Sequence, residues 1–268
     1  MRRKRSIRLA LFSVPFVCYW CISPRSASRW ERFLPSNNNS PDYCTERDDA
    51  SSEWLRSLYS TRFQQSKLKC RSLVRVGPEG DGGKMVCLDT LPRKSCITYS
   101  LGSRLDFSFE LAIKNELGCE IFTFDCTVGN VSSADIPEGV KFYPWCVGGK
   151  EEKRAISSDF GYTGQLGQYY PLQTIMRKLE HTRIDLLKMD IERHEVAVIS
   201  SLQSQFAPLQ IVFETHLHNA YGIWNRPMNH DEWFSMWKSL DNLGYRIFSY
   251  EPNPLCPCCC EWSILKSS

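Results

Sequence analysis

Short apolar runs alternate with helical stripes along most of the chain. The runs are rich in β-branched and aromatic residues and lie at 96–101, 120–124, 140–147, 184–189, 209–213, 245–250 and 260–265. Helical stripes lie between several of them: Phe109, Ile113 and Leu117; Leu172, Ile175, Met176 and Leu179; residues 196–202; and Trp233, Met236, Trp237 and Leu240. Strands that alternate with crossover helices predict a parallel sheet covered on both faces.

The last two predicted strands break this alternation. The link between them, EPNPLCPCC, is too short for a helical crossover. The final strand must therefore pair antiparallel, beside its neighbour. The pattern predicts a Rossmann-like, doubly wound α/β fold with a mostly parallel seven-stranded sheet and an antiparallel last strand.

The first 22 residues have a different character from the rest of the chain. MRRKR is followed by an apolar run at 9–22, interrupted only by Ser13 and Pro15, and then by SPRSAS. This is the pattern of a signal peptide cleaved near residues 23–28, or of a signal anchor that leaves the basic end in the cytosol. Both alternatives predict the secretory pathway: a type II membrane protein of the Golgi or ER lumen, or a secreted protein.

Residues 23–52 are rich in Ser, Asn, Arg and Pro and contain few aliphatic side chains. Such a composition predicts a flexible stem, since it cannot bury enough apolar surface to fold. Ser52 is a plausible N-cap for the helical pattern SEWLRSLYSTRF that follows. The expected organisation is therefore a head at 1–22, a stem at 23–52 and a folded domain at 53–268.

The charge of the chain excludes one large class of function. Its net charge is +3, and five basic residues lie within the first ten positions. Without this head the chain is close to neutral, so no basic stripe remains for nucleic acid.

Cysteine usage indicates an oxidising compartment. The chain has 13 cysteines, a density unusual for a reduced cytosolic enzyme. Cys70 and Cys87 flank GPEGDGGK, an arrangement that a disulfide could join across a hairpin. Sequons at Asn38 and Asn130 fit a glycosylated lumenal chain.

The CPCCC segment at 256–260 invites a comparison with zinc sites. No histidine is close by in sequence, and paired CxxC spacing is absent. We therefore expect disulfides here, with Cys96 or Cys119 as possible partners, and predict no metal site.

Two residues at strand ends point to a nucleoside ligand. Gly102 ends the run at 96–101, just before a helix, and Asp125 ends the next run. Glycine lets a ligand approach the backbone, and an acid after the second strand of such a unit binds ribose hydroxyls. Because GxGxxG is missing, a tightly held pyrophosphate, and hence NAD, is disfavoured. Asp106 or Glu110 could face the cationic end of S-adenosylmethionine, or could act only as helix N-terminal charges.

The segment LLKMDIERHE carries the second group of candidate residues. Lys188, Asp190 and Glu192 alternate past an apolar run, so in an extended chain they share one side. In FETHLH, Glu214 and His216 have the same spacing, with His218 next. A histidine there could be a general base near neutral pH. Alternatively, these side chains are polar groups that hydrogen-bond at a sheet edge.

The segments YSLGSRLDFSFE, FTFDCT, IDLLKMDIERHE, IVFETH and CCEWSIL resemble the methyltransferase domain of the methyltransferase-like protein 24 family, a distant relative of the FkbM-type O-methyltransferases. The resemblance covers about 54–265 and implies an S-adenosylmethionine-dependent methyltransferase. It places Gly102 in the cofactor loop, makes Asp125 the ribose acid, and puts Asp190 and Glu192 in a KxDxEG-like motif. Here Arg193 stands where FkbM-type relatives have glycine.

The sequence thus predicts a methyltransferase of the secretory pathway that uses S-adenosylmethionine. Its acceptor would be an oxygen of a small molecule or glycan. His216 is the expected base, with Asp190 as the alternative, and Glu192 is a further catalytic candidate. Gly102, Asp106, Asp125 and Asp190 are the expected cofactor-binding residues. The rival hypothesis is a catalytically inactive binding module with the same fold.

Overall fold

The computed structural model describes residues 70–79, 82–158, 161–216, 230–252 and 259–267. All of them belong to one unit, Asn37–Ser268. The predicted head, stem and helical pattern from Ser52 lie outside the described residues, as do Asn38 and His218. In the part of the chain that the structure describes, no helix is both long and apolar enough to cross a membrane.

Strands and helices alternate as the sequence predicts. The strands are β1 Leu73–Val76, β2 Lys84–Cys87, β3 Ile97–Leu101, β4 Glu120–Phe124, β5 Val140–Tyr143, β6 Cys146–Val147, β7 Glu152–Ser158, β8 Gly161–Tyr170, β9 Leu186–Met189, β10 Gln210–His216, β11 Tyr245–Pro252 and β12 Cys259–Lys266. The α-helices are α1 Ser108–Leu117, α2 Leu172–Lys178, α3 Glu195–Ser200 and α4 His230–Asn242. Short 3-10 turns lie at Leu88–Thr90, Ser133–Asp135 and Ser204–Phe206.

The main sheet of the described residues has seven strands in the order β11-β12-β10-β9-β3-β4-β5. The pairs β5–β4, β4–β3, β3–β9 and β9–β10 are parallel, whereas β12 is antiparallel to both β10 and β11. The predicted fold class, including the inserted antiparallel last strand, is confirmed. The carboxyl ends of β3, β4, β9 and β10 meet at one edge of the sheet, and β12 begins at this edge. We call this edge the carboxyl edge.

Each face of the sheet is covered by a different set of elements. On one face, α2, α3 and α4 bury the stripes around Ile175, Val198 and Trp237 against Leu187 and Phe213. On the other face, α1 packs together with the hairpin β1–β2. Burial of these apolar stripes on both faces stabilises the parallel sheet, as the alternating pattern requires.

Helix α1 follows the sequence prediction closely. Its stripe of Phe109, Ile113 and Leu117 is buried. Gly118 ends the helix in the left-handed region, at φ 70°, and its N–H donates to the carbonyl of Lys114 at 2.8 Å. This is the C-cap that glycine forms without steric cost.

The predicted third strand at 140–147 proves to be two strands. It breaks after Tyr143, so that β5 ends in the main sheet while β6 joins a second sheet of order β6-β8-β7. Pro144 lies at the break and has no backbone N–H for a ladder. The hairpin of β7 and β8 was not predicted, because its sequence is rich in Ser, Gly and Gln and shows no apolar alternation.

Three disulfides lie among the described residues. Cys70 and Cys87 are bonded across the β1–β2 hairpin, as proposed from the sequence, with their Cα atoms 5.7 Å apart. The other two join Cys96 to Cys119 and Cys126 to Cys146. Cys96 and Cys119 therefore do not pair with the cysteines of 256–260. Cys259 and Cys260 are themselves disulfide-bonded.

Candidate active site

The loop after β3 can lie directly against the end of β9 because Gly102 has no side chain. Its φ is +77°, and a Cβ there would overlap the carbonyl oxygen of Asp190 and lie 2.9 Å from its carbonyl carbon. The two loops are fixed by backbone hydrogen bonds of 3.0 Å from Gly102 N–H to Phe124 O and from Asp190 N–H to Leu101 O. Only glycine fits this position without moving the backbone.

Asp125 organises the same loop. It is buried, and its Oδ2 accepts the N–H groups of Ser103 at 3.1 Å and Arg104 at 2.8 Å. Its Oδ1 accepts the N–H of Thr127 at 2.9 Å and the hydroxyl of Thr127 at 2.7 Å. Both oxygens therefore accept two hydrogen bonds, which is close to the capacity of a carboxylate. The structure leaves the predicted contact with ribose untested.

The loop adopts the backbone of a glycine-rich loop although it contains one glycine. Arg104 and Leu105 both have positive φ, at 49° and 64°. This conformation costs a residue with a Cβ about 1–2 kcal/mol. The hydrogen bonds that Asp125 accepts from Ser103 and Arg104 hold the loop in this strained form, so that the loop keeps its conformation without further glycines, at a higher conformational cost.

Asp106 and Glu110 lie at the start of α1. Asp106 is exposed, and its Oδ1 accepts the N–H of Ser108 at 2.9 Å. Hydrogen bonds from Ser108 hold the pKa of Asp106 below its usual range, with a smaller effect of Lys188 in the same direction. Glu110 is buried, accepts the hydroxyl of Ser100, and has its pKa raised by burial. Asp106 therefore acts as a helix N-terminal carboxylate, one of the two roles predicted for it.

Lys188 and Asp190 point to the same side of β9, as their spacing predicts. Lys188 donates to the carbonyl of Gly102 at 2.5 Å, and its Nζ lies 3.9 Å from Asp190 Oδ2. Lys188 thus joins the end of β9 to the loop after β3. Asp190 lies at the carboxyl edge, with 17% of its side chain exposed.

A second lysine, Lys84, lies beneath Asp190. Its side chain is fully buried, and its Nζ lies 3.2 Å from Asp190 Oδ2 and 2.6 Å from Glu261 Oε1. Burial alone would lower the pKa of Lys84, but the carboxylates of Asp190, Glu261 and Glu214 outweigh it and raise the pKa. Lys84 is therefore a permanent cation. Burial raises the pKa of Glu261, against the opposing effect of Lys84.

The turn after Asp190 contains two residues in the left-handed region. Glu192 and Arg193 have φ of 52° and 77°. Arg193 therefore has a conformation that glycine adopts without steric cost. Glu195 is fully buried, and its Oε1 accepts the N–H of Ile191 at 2.8 Å, which closes the turn. Burial raises the pKa of Glu195 to about 7.

The structure brings some of the predicted site residues together, places others elsewhere, and does not describe the side chain of one. Gly102, Asp125 and Asp190 converge at the carboxyl edge, whereas Glu192 lies in the turn that follows. His216 ends β10, where its backbone pairs with Cys259, but its side chain lies outside the described residues.

Sequence analysis missed Lys84 and Glu261. Lys84 follows a glycine-rich turn, a context in which lysine is normally solvated, and Glu261 is one polar position in the last strand. Only the pairing of β12 with β10, which sets Glu261 opposite Glu214, places it at this edge.

One group of side chains within the described residues has the spacing of a metal site. Sγ of Cys70, Sγ of Cys87 and a carboxylate oxygen of Asp89 lie within 4.8 Å of one another. Because Cys70 and Cys87 form a disulfide, neither sulfur is a thiolate that could bind a metal.

The carboxyl edge is rich in acidic side chains. Lys84 and Lys188 are two buried cations among them. The carboxylates that act on them are Asp106, Glu110, Asp190, Glu214 and Glu261. Carboxylates beside a loop that begins with glycine suit a ligand with a positive group.

Two curated proteins are similar to this chain in sequence. Probable methyltransferase-like protein 24 of Homo sapiens is 27% identical over 220 residues, which cover 75% of this chain and 57% of that protein. The protein of the same name from Rattus norvegicus is 26% identical over 220 residues, with the same coverage of 75% and 57%. The chain therefore spans 57% of the length of these curated relatives.

Among solved structures, similarity is limited to the fold. The fibrillarin pre-rRNA processing protein of Methanococcus jannaschii matches with a TM-score of 0.39 and 6% identity, over 65% of this chain and 67% of that one. A SAM-dependent methyltransferase from Aquifex aeolicus matches with a TM-score of 0.31 and 9% identity, over 66% and 85%.

The model of one protein family matches nearly the whole chain. This family is described as a methyltransferase domain, and the match runs over residues 25–266. The matched range includes all strands of the seven-stranded sheet, with the antiparallel strand inserted between β10 and β11. The chain therefore belongs to the methyltransferase domain family.

Proposed function

We propose that the protein is an enzyme that binds S-adenosylmethionine at the carboxyl edge and transfers its methyl group to an oxygen of an acceptor. The observation that carries this proposal is the convergence of Gly102, Asp125 and Asp190 at one edge of a methyltransferase-domain sheet. Ligands of open α/β sheets bind at this edge, next to the change in strand order. Here that change lies between β3 and β9.

The residues at the edge fit such a cofactor by charge. S-adenosylmethionine has a sulfonium and an ammonium group, and two carboxylates lie beside the Gly102 loop, those of Asp106 and Asp190. Asp106 and Asp190, which flank the Gly102 loop, would hold the positive end. Asp125 would hold the ribose, and because both of its oxygens are engaged, the hydroxyls must share or replace hydrogen bonds from the loop.

When bound, S-adenosylmethionine supplies a methyl group on a positively charged sulfur, so that transfer breaks a carbon–sulfur bond and forms a carbon–oxygen bond. The residues of the chain contribute by holding the acceptor in line and by taking the proton of its hydroxyl group. We assign His216, at the end of β10, as the base that accepts this proton, with Asp190 as the alternative. Glu192, in the turn after Asp190, would face the acceptor.

The compartment and the acceptor are further parts of this proposal. An apolar segment at 9–22 after a basic start supports a signal peptide or a membrane anchor. Three disulfides and an exposed sequon at Asn130 support a body in an oxidising compartment, in the Golgi or ER lumen or outside the cell. A glycan hydroxyl is an abundant acceptor there, and the near-neutral body gives no support for nucleic acid.

A second candidate function is a binding module without turnover. Asp125 favours it, because this carboxylate stabilises the loop without a ligand. Arg104 and Leu105, which have positive φ, also favour the binding module. A loop that no longer admits a nucleoside has no need of glycine at these positions. Binding of the cofactor separates the two functions.

The test is calorimetric titration of S-adenosylmethionine into the full-length oxidised protein. Asp125→Ala should abolish binding. The matched control is Asp135→Ala, since Asp135 also accepts a backbone N–H, from Ser132 at 3.0 Å, but lies in an exposed turn before β5. Wild-type binding that Asp135→Ala keeps and Asp125→Ala loses supports the enzyme. A folded wild type that does not bind S-adenosylmethionine contradicts it and favours the binding module.

A further inference from the structure

The hairpin β1–β2 delivers one side chain into the candidate site. Lys84 is the first residue of β2, and its side chain is 0% exposed. Gly83 precedes it, and a Cβ at Gly83 would overlap the carbonyl oxygen of Pro78 and lie 3.0 Å from Arg75 Nε. Gly83 therefore packs directly against the backbone of Pro78, one residue before Lys84.

Two further contacts hold the hairpin in place. The Cys70–Cys87 disulfide closes it at the end of β2. Arg75 donates to the carbonyls of Pro78 at 3.1 Å and Gly83 at 3.2 Å, and forms an ion pair with Glu251 of β11. The disulfide thus closes the hairpin on itself, and Arg75 ties it to β11 of the main sheet.

Lys84 connects strands that are not neighbours. Its ammonium contacts Asp190 after β9 and Glu261 in β12, and β10 lies between these two strands. Glu214 of β10 pairs in register with Glu261 and also acts on the charge of Lys84. One buried cation therefore faces three carboxylates, which would repel one another in a medium of low dielectric constant without it.

Exposure decreases from Asp190 inward. The exposed fraction of the side chain is 17% for Asp190, 7% for Glu261 and 0% for Lys84. Asp190 is therefore the member of the group that reaches the edge, and Lys84 supports it from below. Lys188 does not replace Lys84, because it lies 3.9 Å from Asp190 and donates at 2.5 Å to the carbonyl of Gly102.

We propose that Lys84 is a positioning residue of the candidate active site, which fixes the Asp190 carboxylate at the carboxyl edge by bridging it to Glu261. This makes the disulfide-bonded hairpin part of the functional unit. The inference deepens the proposed function and rests on it for the role of Asp190, but the position of Asp190 can be measured without any cofactor.

Two variants that differ only at residue 84 test the proposal. Glu261→Gln keeps the ion pair between Lys84 and Asp190. Glu261→Gln combined with Lys84→Met removes this ion pair, and because one carboxylate is removed together with the cation, the net charge of the group stays that of the wild type. If this variant does not fold, Glu261→Gln combined with Lys84→Gln keeps a hydrogen bond between the two positions.

The first readout is the dissociation constant for S-adenosylmethionine, measured by calorimetry on full-length oxidised protein from pH 6 to 9. We expect Glu261→Gln to bind S-adenosylmethionine and the double variant to bind it at least about tenfold more weakly. A tenfold rise in the dissociation constant is the size of effect expected when one well-placed contact is lost. Equal affinity and equal pH dependence in the two folded variants would overturn the proposal, because a purely structural lysine would not change either.

The second readout is the crystal structure of each variant without cofactor. The Asp190 carboxylate should stay in place in Glu261→Gln and leave its place in the double variant. An unchanged Asp190 in the double variant overturns the proposal. If the wild type does not bind S-adenosylmethionine, the proposed function fails, and the displacement of Asp190 alone decides whether Lys84 positions it.

Discussion

Replacement of Gly102 by alanine should destabilise the protein far more than the same replacement at another glycine with positive φ. At Gly102, φ is +77° and an added Cβ would overlap the carbonyl oxygen of Asp190. Gly129 has nearly the same φ, +71°, but has no atom within 4 Å of the added Cβ. The two positions therefore share the conformational cost and differ in the overlap.

The magnitude follows from the local contacts. A left-handed conformation costs alanine about 1–2 kcal/mol at either position. At Gly102 the overlap involves backbone on both sides, so it can be relieved only if the ends of β3 and β9 move apart. This strains the 3.0 Å hydrogen bond from Asp190 N–H to Leu101 O, and the accompanying shift of residue 102 strains its 3.0 Å bond to Phe124 O; each contributes about 1 kcal/mol net. We expect a total of about 3–4 kcal/mol for Gly102→Ala, against about 1–2 kcal/mol for Gly129→Ala.

The assay is urea denaturation of the oxidised wild type and both variants, followed by tryptophan fluorescence. A loss of 3–4 kcal/mol is a large part of the stability of a typical domain, about 5–15 kcal/mol. The midpoint should therefore fall clearly more for Gly102→Ala than for Gly129→Ala, with an unchanged slope. Equal shifts for the two variants would refute the close packing of the Gly102 loop against Asp190.

Three further predictions concern stability and pH. Asp125→Ala should lower the free energy of unfolding by about 2–3 kcal/mol, because two N–H groups of the loop lose their acceptor. Asp135→Ala should lower it by about 1 kcal/mol. Equal urea midpoints for the two variants would contradict this prediction. Replacement of both Cys70 and Cys87 by serine should lower the free energy of unfolding by about 3 kcal/mol, since the disulfide closes a loop with a sequence separation of 17. Amide hydrogen exchange in β2 should become faster. Unchanged exchange would argue against the disulfide as the support of the hairpin. Burial, followed by the charges of Arg154 and Arg193, lowers the pKa of His194 from 6.5 to about 4. Stability present above pH 6.5 should therefore be lost as the pH falls towards 4, by up to about 3 kcal/mol. His194→Gln should remove this loss in urea titrations at each pH, and an identical pH profile in the variant would contradict the prediction.

Much of the fold can be predicted from the sequence, because the parallel sheet leaves a strong signal. Its strands are buried on both faces, so runs such as 184–189 stand out from the amphipathic helices between them. The short link before β12 fixes the antiparallel strand. The hairpin β7–β8 left no such signal, because its strands are rich in Ser, Gly and Gln and its buried apolar cluster contains few of their residues, among them Ile156 and Tyr169.

The candidate site is less accessible from the sequence. Gly102, Asp125 and Asp190 could be predicted because each directly follows a strand, and the topology brings strand ends together. That Asp125 binds its own loop could not, since hydrogen bonds to N–H groups leave no trace in residue type. Lys84 was missed because a buried lysine is stable only beside carboxylates from distant segments.

The most direct test of the central claim is the crystal structure of the oxidised protein with S-adenosylhomocysteine, the demethylated form of the proposed cofactor. We predict that the ligand binds at the carboxyl edge, between the loops that follow β3 and β4, next to Asp190. Ligand bound elsewhere, or a vacant edge at saturating concentration, would contradict the assignment of this edge as the methyltransferase site.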